Sequence, residues 1–399
     1  MLDYHQALAQ LLQQLTPIAK VKQLPLIEAN SHILAEDLII QNDAPLFTNS
    51  AMDGYAIAGN DCKSWQIIGR IAAGENTEAI SLERGEACRI FTGAPIPKGS
   101  TAVIIQEKSI VTDNLLTTID IVKDKQNIRQ QAEELKKGGI LLKAQQRLSP
   151  PLLALIASQG YATVPVFSAL NISVFSTGNE LIEPSQTLQA GKIYDANRFL
   201  LISWLKALGH HVEDGGILPD NQLQTEQALK QATTNSDVII TSGGVSVGEE
   251  DHLKAALNHL GNIILWKLAI KPGKPFAWGA IANTKVFMLP GNPVSSLVTF
   301  HQLTLPALRI LSGEAIATAS PQTIQAKACF AIHKTNSRRE FLRVKIKIIE
   351  ADNRAILLNN QGSAMLATFG QANALAEIPP NTVVHEGDLI TLYPLNYKA

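Results

Sequence analysis

Four loop-like stretches of this 399-residue chain gather residue types that can hold or transfer charge. The richest is TSGGVSVGEED, Thr241–Asp251. Its adjacent glycines, Gly243 and Gly244, permit a tight turn with positive φ and let a ligand approach the backbone amides, while Ser242 and Ser246 add hydroxyl donors. Those are the parts of a phosphate cradle. They are also the parts of an ordinary strand-to-helix turn followed by an N-terminal helix acid, Glu249 or Glu250, and the glycines alone leave both readings open. Asp251 weighs against the plain turn. Carboxylates beside a phosphate repel it unless a cation intervenes, so Glu249, Glu250 and Asp251 point to Mg²⁺ bridging a phosphate ester or anhydride.

The second stretch, WKLAIKPGKPFAWG (Trp266–Gly279), brings Lys267, Lys271 and Lys274 close together around a Pro-Gly turn. Lysines on a strand alternate between faces and are usually just solvated. K-P-G-K-P differs because it holds Lys271 and Lys274 in a stiff loop, and fixed charge near a glycine cradle suits an oxyanion such as phosphate or molybdate. The remaining two stretches are STGNE (Ser176–Glu180) and LPGNPVSS (Leu289–Ser296). Elsewhere the chemistry decides less. In PLFTNSAMDGYA (Pro45–Ala56), Asp53-Gly54 reads as a hairpin turn, and Thr92 in RIFTGAPIPKGSTAVIIQE fits a cap, a turn or a ligand contact equally well. With no G-x-S-x-G elbow and no Cys paired to a nearby His, the chemistry expected is electrostatic, with a metal and lysines stabilising charge in a phosphoryl-type transfer.

These loops need elements to position them. From Asn171 to about Ser312 strand-like and helical runs alternate: NISVFS, ANRFLLISWLKALG, HHVEDGGIL, QLQTEQALKQA, DVIITS, HLKAALNHLG, KVFML and PVSSLVTFHQLTLPALRIL. Such alternation predicts a parallel sheet with helices on both faces and ligands at the C-terminal strand ends. STGNE, TSGGVSVGEED and LPGNP all follow strands, so all three would emerge at one edge, two of them feeding helix N-termini. Before this domain, Asp3 caps an amphipathic helix that Pro17 stops, and LIEANSHILAEDL reads as a second helix. WQIIGRI, EACRIF, TAVIIQE and LLTTIDIV then predict a mostly β unit, and PPLLALIASQG returns to helix. After Ser320, IQAKACFAI, EFLRVKIKII, AILLNN and DLITLYPL predict a small terminal β domain.

Composition limits the partners. With 46% hydrophobic and 17% charged residues the chain is globular rather than disordered, and its length implies several cores. Its 34 basic and 35 acidic residues leave a formal net charge of −1, so no bulk field attracts nucleic acid or an anionic membrane. The start MLDYHQALAQLLQQL lacks the pattern of a signal peptide, and the cytoplasm is the expected compartment. Cys62, Cys88 and Cys329 are odd in number and never form C-x-x-C, so they read as core residues, and no histidine spacing suits a zinc site.

In this order, SAMDGYA, IFTGAPIPKG, STGNELIEP, TSGGVSVGEEDH, and LAIKPGKPFAWG followed by LPGNPVSS resemble the molybdopterin molybdenumtransferases, the family of the MoeA proteins and the gephyrin E domain. The likeness runs from about residue 3 to residue 395. It implies a multidomain α/β and β fold in an L-shaped homodimer. The expected parts are a split N-terminal helical and extended domain (1–41 and 139–168), a mostly β domain (42–138), a central MogA-like α/β domain with a parallel-rich sheet (169–318) and a C-terminal β-barrel-like domain (319–399).

The implied reaction is Mg²⁺-dependent insertion of molybdate into adenylated molybdopterin with release of AMP. Matched motif by motif, the resemblance assigns functional roles to Asp53, Thr92, Glu180, Asp220 in ILPDN, Asp251, Lys267 and Lys271, with Glu180 and Asp251 as Mg²⁺ ligands. It also implies substrate contacts from Ser242, Gly243, Gly244, Ser246, Lys274, Pro275, Pro290 and Pro293, and from Arg338 in RREF and Ser363 in QGSAML. Asp53 would reach the pocket from the partner subunit. Further expected partners are the adenylyltransferase and other molybdenum cofactor proteins, with no nucleic acid or membrane. Two positions depart from the family pattern: Asn179 stands where T-G-D-E has its Asp, and Ala132-Glu133-Glu134 stands where G-E-D is usual. The rival readings are a MogA-like adenylyltransferase, which would need neither SAMDGYA nor the C-terminal β unit, and a gephyrin-like scaffold, for which no N-terminal fusion is expected here.

Overall fold

A computed structural model describes residues 1–75, 80–218, 221–245, 252–349 and 351–395. The chain forms two compact units, one from Met1–Ala35, Gln145–Ser149 and Thr163–Ala399, the other from Glu36–Ala144 and Pro150–Ala162. No helix among the described residues is long and apolar enough to cross a membrane.

The smaller unit is built on a six-stranded sheet in the order Ala102–Ile105, Gly54–Ile57, Glu86–Ile90, Ser64–Ile71, Leu115–Thr117, Ile110–Thr112. Alternate residues face opposite sides, as the strand period requires. Ala56, Cys88, Ile90 and Val103 bury on one face, and Ile57, Trp65, Ala87 and Ile104 on the other. SAMDGYA is not a hairpin turn. The strand before it, Asn49–Ser50, pairs with Ile128–Arg129, whereas the strand after it, Gly54–Ile57, pairs with Glu86–Ile90 and Ala102–Ile105. A Cβ at Gly54 would run into the Ile104 carbonyl oxygen, so the tight strand pairing, rather than a turn, demands this glycine. Helix Pro150–Ser158 belongs to this unit, where the Gln159 side chain accepts from the backbone amides of Gln41 (3.0 Å) and Asn42 (3.1 Å).

In the larger unit, helix Tyr4–Gln13 starts where Asp3 Oδ1 accepts from the amides of His5 (2.9 Å) and Gln6 (3.4 Å). The predicted helix in LIEANSHILAEDL is absent beyond one 3-10 turn, Leu26–Glu28. Ser31 takes φ +66°, and the amides of Ser31, Leu34 and Ala35 bond to the carbonyls of Leu148, Gln146 and Pro165. Pairing with distant chain overrides the apolar spacing. The strand Val21–Pro25 likewise pairs antiparallel with Thr163–Phe167.

The central sheet runs His211–Leu218, Asn171–Thr177, Val238–Ser242, Thr284–Leu289, Pro275–Ile281, Asn262–Lys267. The first four strands are parallel to one another; Pro275–Ile281 runs antiparallel to both its neighbours, and Asn262–Lys267 beyond it points the same way as the first four, so five of the six strands share the direction expected of a parallel sheet. Helices cover both faces. Val238 and Ile240 pack with helix Asn197–Ala207 and with the helical run from Pro293 to Leu311, while Ile239 packs with helices Gln222–Ala232 and His252–Leu260. After Ser320, five strands close on themselves, because Arg339–Ile349 pairs with both Asp352–Leu357 and Ala374–Ile378 at the ends of a continuous ladder. This is the expected β-barrel, with Ala374–Ile378 as a strand that alanine-rich sequence did not announce. Cys88 is a core residue as expected, whereas Cys62 and Cys329 are only half-buried, and all three are free thiols.

The long helix Pro293–Leu311 is interrupted by a π turn over Phe300–Thr304. Here Tyr4 donates to Gln302 Oε1 (2.6 Å), the Gln302 amide lies 3.3 Å from His301 Nδ1, and His301 Nε2 lies 3.2 Å from the Pro394 carbonyl. A carbonyl only accepts, so Nε2 carries the proton and Nδ1 accepts from Gln302. Burial holds this imidazole neutral and pushes its pKa down to about 4 from 6.5. On acidification the unfolded chain therefore takes up the proton first, so stability is lost as pH falls from 6.5 toward 4. Imidazole resonances followed by NMR are expected to show His301 neutral until about pH 4. Titration near 6.5 would contradict the buried chain.

Candidate functional site

The strand register fixes which loops meet. Thr177, Ser242 and Leu289 end parallel neighbours, and the antiparallel pairing places Pro275 and Lys267 at the same edge. STGNE, the Gly-Gly turn, LPGNP and the K-P-G-K-P loop therefore all leave one edge of the sheet. This is the edge expected for ligands in a sheet of this kind.

At its centre Gly243 takes φ +98° and Gly244 φ +70°, and the Gly243 amide donates to the Leu289 carbonyl (2.9 Å). A Cβ on Gly243 would lie 2.5 Å from the Thr177 carbonyl oxygen, and one on Gly244 2.5 Å from Leu253 Cδ2. Both glycines are thus required by close approach of neighbouring elements. Beneath them the Asn197 amide donates to Ser242 Oγ (2.7 Å) and to the Gly291 carbonyl (2.7 Å), tying the glycine turn to the LPGNP loop. Asn197 was not singled out in the sequence. The signal was present in D-A-N-R, which opens a helix directly at the sheet edge.

The neighbouring Arg198 is only 3% exposed and is gripped by Asp195 (2.9 Å), Glu183 (2.5 Å) and Asp214. Desolvation disfavours its charge, but hydrogen bonds to the three carboxylates outweigh that and raise its pKa. These carboxylates are consequently spent on a cation of the protein itself. Glu180 is the exposed carboxylate of the STGNE loop, and its side chain folds over Gly178, where a Cβ would come within 2.6 Å of Glu180 Oε2.

The K-P-G-K-P loop is closed by the Leu268 amide donating to the Lys274 carbonyl (2.7 Å), and Gly273, at φ +107°, packs against Thr299 and Ile270. Ile270–Lys271 pairs in parallel with Arg339–Glu340, so barrel and loop are held in register. Lys271 Nζ donates to Glu340 Oε1 (2.8 Å), Arg338 Nη1 approaches the Ile270 carbonyl (3.4 Å), and Lys267 and Lys274 are exposed. The Val294 amide donates to the Ser363 carbonyl (3.0 Å), which puts QGSAML at the N-terminus of the helix that Pro293 opens. Pro290 is buried between strand and loop, and Pro275 starts its strand. The larger unit therefore gathers Glu180, Ser242, Gly243, Gly244, Lys267, Lys271, Lys274, Pro275, Pro290, Pro293, Arg338 and Ser363 at or beside one sheet edge. Ser246, Asp251 and Asp220 lie outside the described residues.

Asp53 and Thr92 belong to the smaller unit, where the structure joins them directly. Asp53 Oδ1 accepts from both the Thr92 amide (2.7 Å) and Thr92 Oγ1 (2.8 Å). These bonds hold the Asp53 carboxyl below its usual range, with the Arg89 charge adding to the effect. Thr92 thus resolves as the partner of Asp53, a pairing that neither motif suggested alone.

Residues 2–160 match the MoeA N-terminal region (domain I and II), residues 173–310 a probable molybdopterin binding domain, and residues 325–395 the MoeA C-terminal region (domain IV). A molybdopterin molybdenumtransferase of Haemophilus influenzae is 40% identical over 100% of this chain and 99% of its own length. One from Staphylococcus epidermidis is 30% identical over 94% of this chain and 91% of its own. Among solved structures, a molybdopterin biosynthesis MoeA protein from Pyrococcus horikoshii superposes with a TM-score of 0.82 at 27% identity, covering 99% of this chain and 100% of that one.

Substitution at the cradle checks the close approach. Gly209 also has positive φ, +86°, but nothing lies near its Cβ position, so Gly209→Ala costs about 1–2 kcal/mol from backbone strain alone. Gly243→Ala adds the clash with the Thr177 carbonyl and is expected to lower the denaturation midpoint clearly further. Equal losses would show that the strand ends can separate freely.

Proposed function

The chain belongs to the molybdopterin molybdenumtransferase (MoeA) family of molybdenum cofactor biosynthesis, and we propose that its sheet edge carries out the Mg²⁺-dependent insertion of molybdate into adenylated molybdopterin, releasing AMP. The observation that carries this reading is the convergence of the glycine turn and the K-P-G-K-P loop at one edge, with Lys271 steadied by Glu340.

Charge explains why these parts belong together. The adenylate phosphate, the pterin phosphate and molybdate are all anions, and their mutual repulsion must be offset before bond exchange can occur. The Gly243–Gly244 turn cradles phosphate through the Gly244 amide and the hydroxyls of Ser242 and Ser246, the Gly243 amide being spent on holding Leu289. Lys271, Lys274 and Arg338 receive molybdate beside it, with Pro275, Pro290, Pro293 and Ser363 shaping the walls and Lys267 adding positive charge at the rim. Mg²⁺ is commonly held by one or two carboxylates plus substrate phosphates, and Glu180 offers an exposed carboxylate at this edge while Glu183, Asp195 and Asp214 are engaged by Arg198. Glu180 and Asp251 would hold the ion, which when bound neutralises phosphate charge. Asp220 completes the acidic side.

Asp53, oriented by Thr92, serves the site from the partner subunit of a homodimer, and the chain divides into four domains as the family pattern implies. The setting is the cytoplasm, with the adenylyltransferase and other molybdenum cofactor proteins as partners. Asn179 replaces the family's second loop carboxylate, which leaves Glu180 as the acidic member of that loop.

AMP release from adenylated molybdopterin, measured with molybdate and Mg²⁺, tests these roles. Lys271→Met, Asp251→Ala and Asp53→Ala are each expected to lower the rate by about 100-fold or more, the effect usual for losing one group that stabilises developing charge. Normal release from folded Asp53→Ala and Asp251→Ala would refute the assignment.

A further inference from the structure

The edge of the central sheet opposite the site opens into a cavity of ≈ 1080 Å³. Its position follows from the chain: Ser168 and Ala169 precede strand Asn171–Thr177, Gly209 and His210 precede strand His211–Leu218, and all four line the space. Phe167, Leu208, Leu305 and Leu308 supply apolar lining. Arg147, Arg309 and Glu314 supply charged lining. All these residues lie in the larger unit.

Among the described residues the charges lining this cavity do not balance. Glu314, only 6% exposed, accepts from Arg147 through Nε (3.0 Å) and Nη2. Arg309 has no ion pair among the described residues, and it donates a long hydrogen bond to the Ala319 carbonyl (3.3 Å). Desolvation weakens its hold on the proton and the Arg147 charge opposes it, with Glu314 compensating in part. Among the described residues two guanidiniums thus share one carboxylate, leaving a single excess positive charge at this cavity. A buried guanidinium without a counter-charge is costly, and its planar fork matches a carboxylate. Nearby, His210 Nδ1 and Ser312 Oγ are buried with no hydrogen-bond partner, and both residues belong to the cavity lining.

We propose that this cavity is a binding site for a small organic monocarboxylate, whose head pairs with Arg309 and bonds to His210 and Ser312 while its apolar body lies against Phe167, Leu305 and Leu308. One excess positive charge fits a monoanion better than the dianions handled at the opposite edge. The size is that of sites for small ligands. Because the cavity shares no residue with the glycine turn or the K-P-G-K-P loop, the proposal stands apart from the reading of the reaction.

Calorimetric titration of the full-length protein provides the test, with sodium benzoate as probe and benzyl alcohol and inorganic phosphate as controls. Benzoate is expected to bind at least about tenfold more tightly than either control, and Arg309→Met to weaken it by about tenfold or more, the loss that follows from removing a charged hydrogen bond. Lys271→Met should leave benzoate affinity unchanged. The proposal is overturned if benzoate fails to bind, if phosphate or benzyl alcohol binds as well, if Arg309→Met binds as well as the wild type, or if Lys271→Met abolishes binding. Should Arg309→Met fail to fold, Leu308→Trp takes its place: it fills the cavity from its apolar lining, and undiminished benzoate affinity in that variant equally overturns the proposal.

Discussion

The architecture of the site rests on a contact that only glycine permits. Position 243 lies so close to the end of strand Asn171–Thr177 that any Cβ would meet the Thr177 carbonyl oxygen at 2.5 Å, while its own amide is bonded to Leu289 on the other side. One residue thus keeps three strand ends together. Asn197 completes the arrangement from below by bonding Ser242 and Gly291 at once. With the backbone packed this tightly, amides can be presented to a ligand without side chains in the way. The turn's glycines, open between cradle and punctuation when read as sequence, acquire a definite reason.

Around this core the protein disposes its charges by two different rules. Acidic groups that would crowd an anion site are tied up internally: Arg198, itself almost fully buried, binds the buried Asp195 and the partly exposed Glu183 and Asp214, and removing Arg198 would leave Asp195 a buried, uncompensated charge. Basic groups are kept outward. Lys271 is half-exposed, with Glu340 fixing its direction, and the K-P-G-K-P loop is pinned to the barrel by strand pairing with Arg339–Glu340. The barrel is therefore part of how the site is aimed. An adenylyltransferase built from the α/β domain alone would lack that pairing.

Much of this was legible in the sequence because it depended on local rules. Asp3 caps its helix, the apolar run of Val238–Ser242 is a fully buried strand, and the three strand-end loops share an edge as the alternation of elements required. Where the sequence misled, distant partners decided. LIEANSHILAEDL has helical spacing, yet its amides pair with Leu148, Gln146 and Pro165, and no local signal encodes those partners. Asp53-Gly54 looked like a turn because the strands that crowd Gly54 come from residues 86–90 and 102–105. The antiparallel pair Asn262–Lys267 and Pro275–Ile281 was hidden by a loop that attracted notice for its lysines. Asn197, Glu340 and the Thr92–Asp53 bond are side-chain relations across the fold, which spacing along one chain cannot express.

The central claim is that phosphate and molybdate meet at this one sheet edge. Anomalous diffraction at the molybdenum edge, from crystals of the full chain grown with AMP, Mg²⁺ and molybdate, tests it most directly. The account predicts molybdenum against Lys271, Lys274 and Arg338, with the AMP phosphate at the glycine turn on the Gly244 amide. Molybdenum or AMP bound away from that edge, with the K-P-G-K-P loop and the glycine turn both empty, would contradict it.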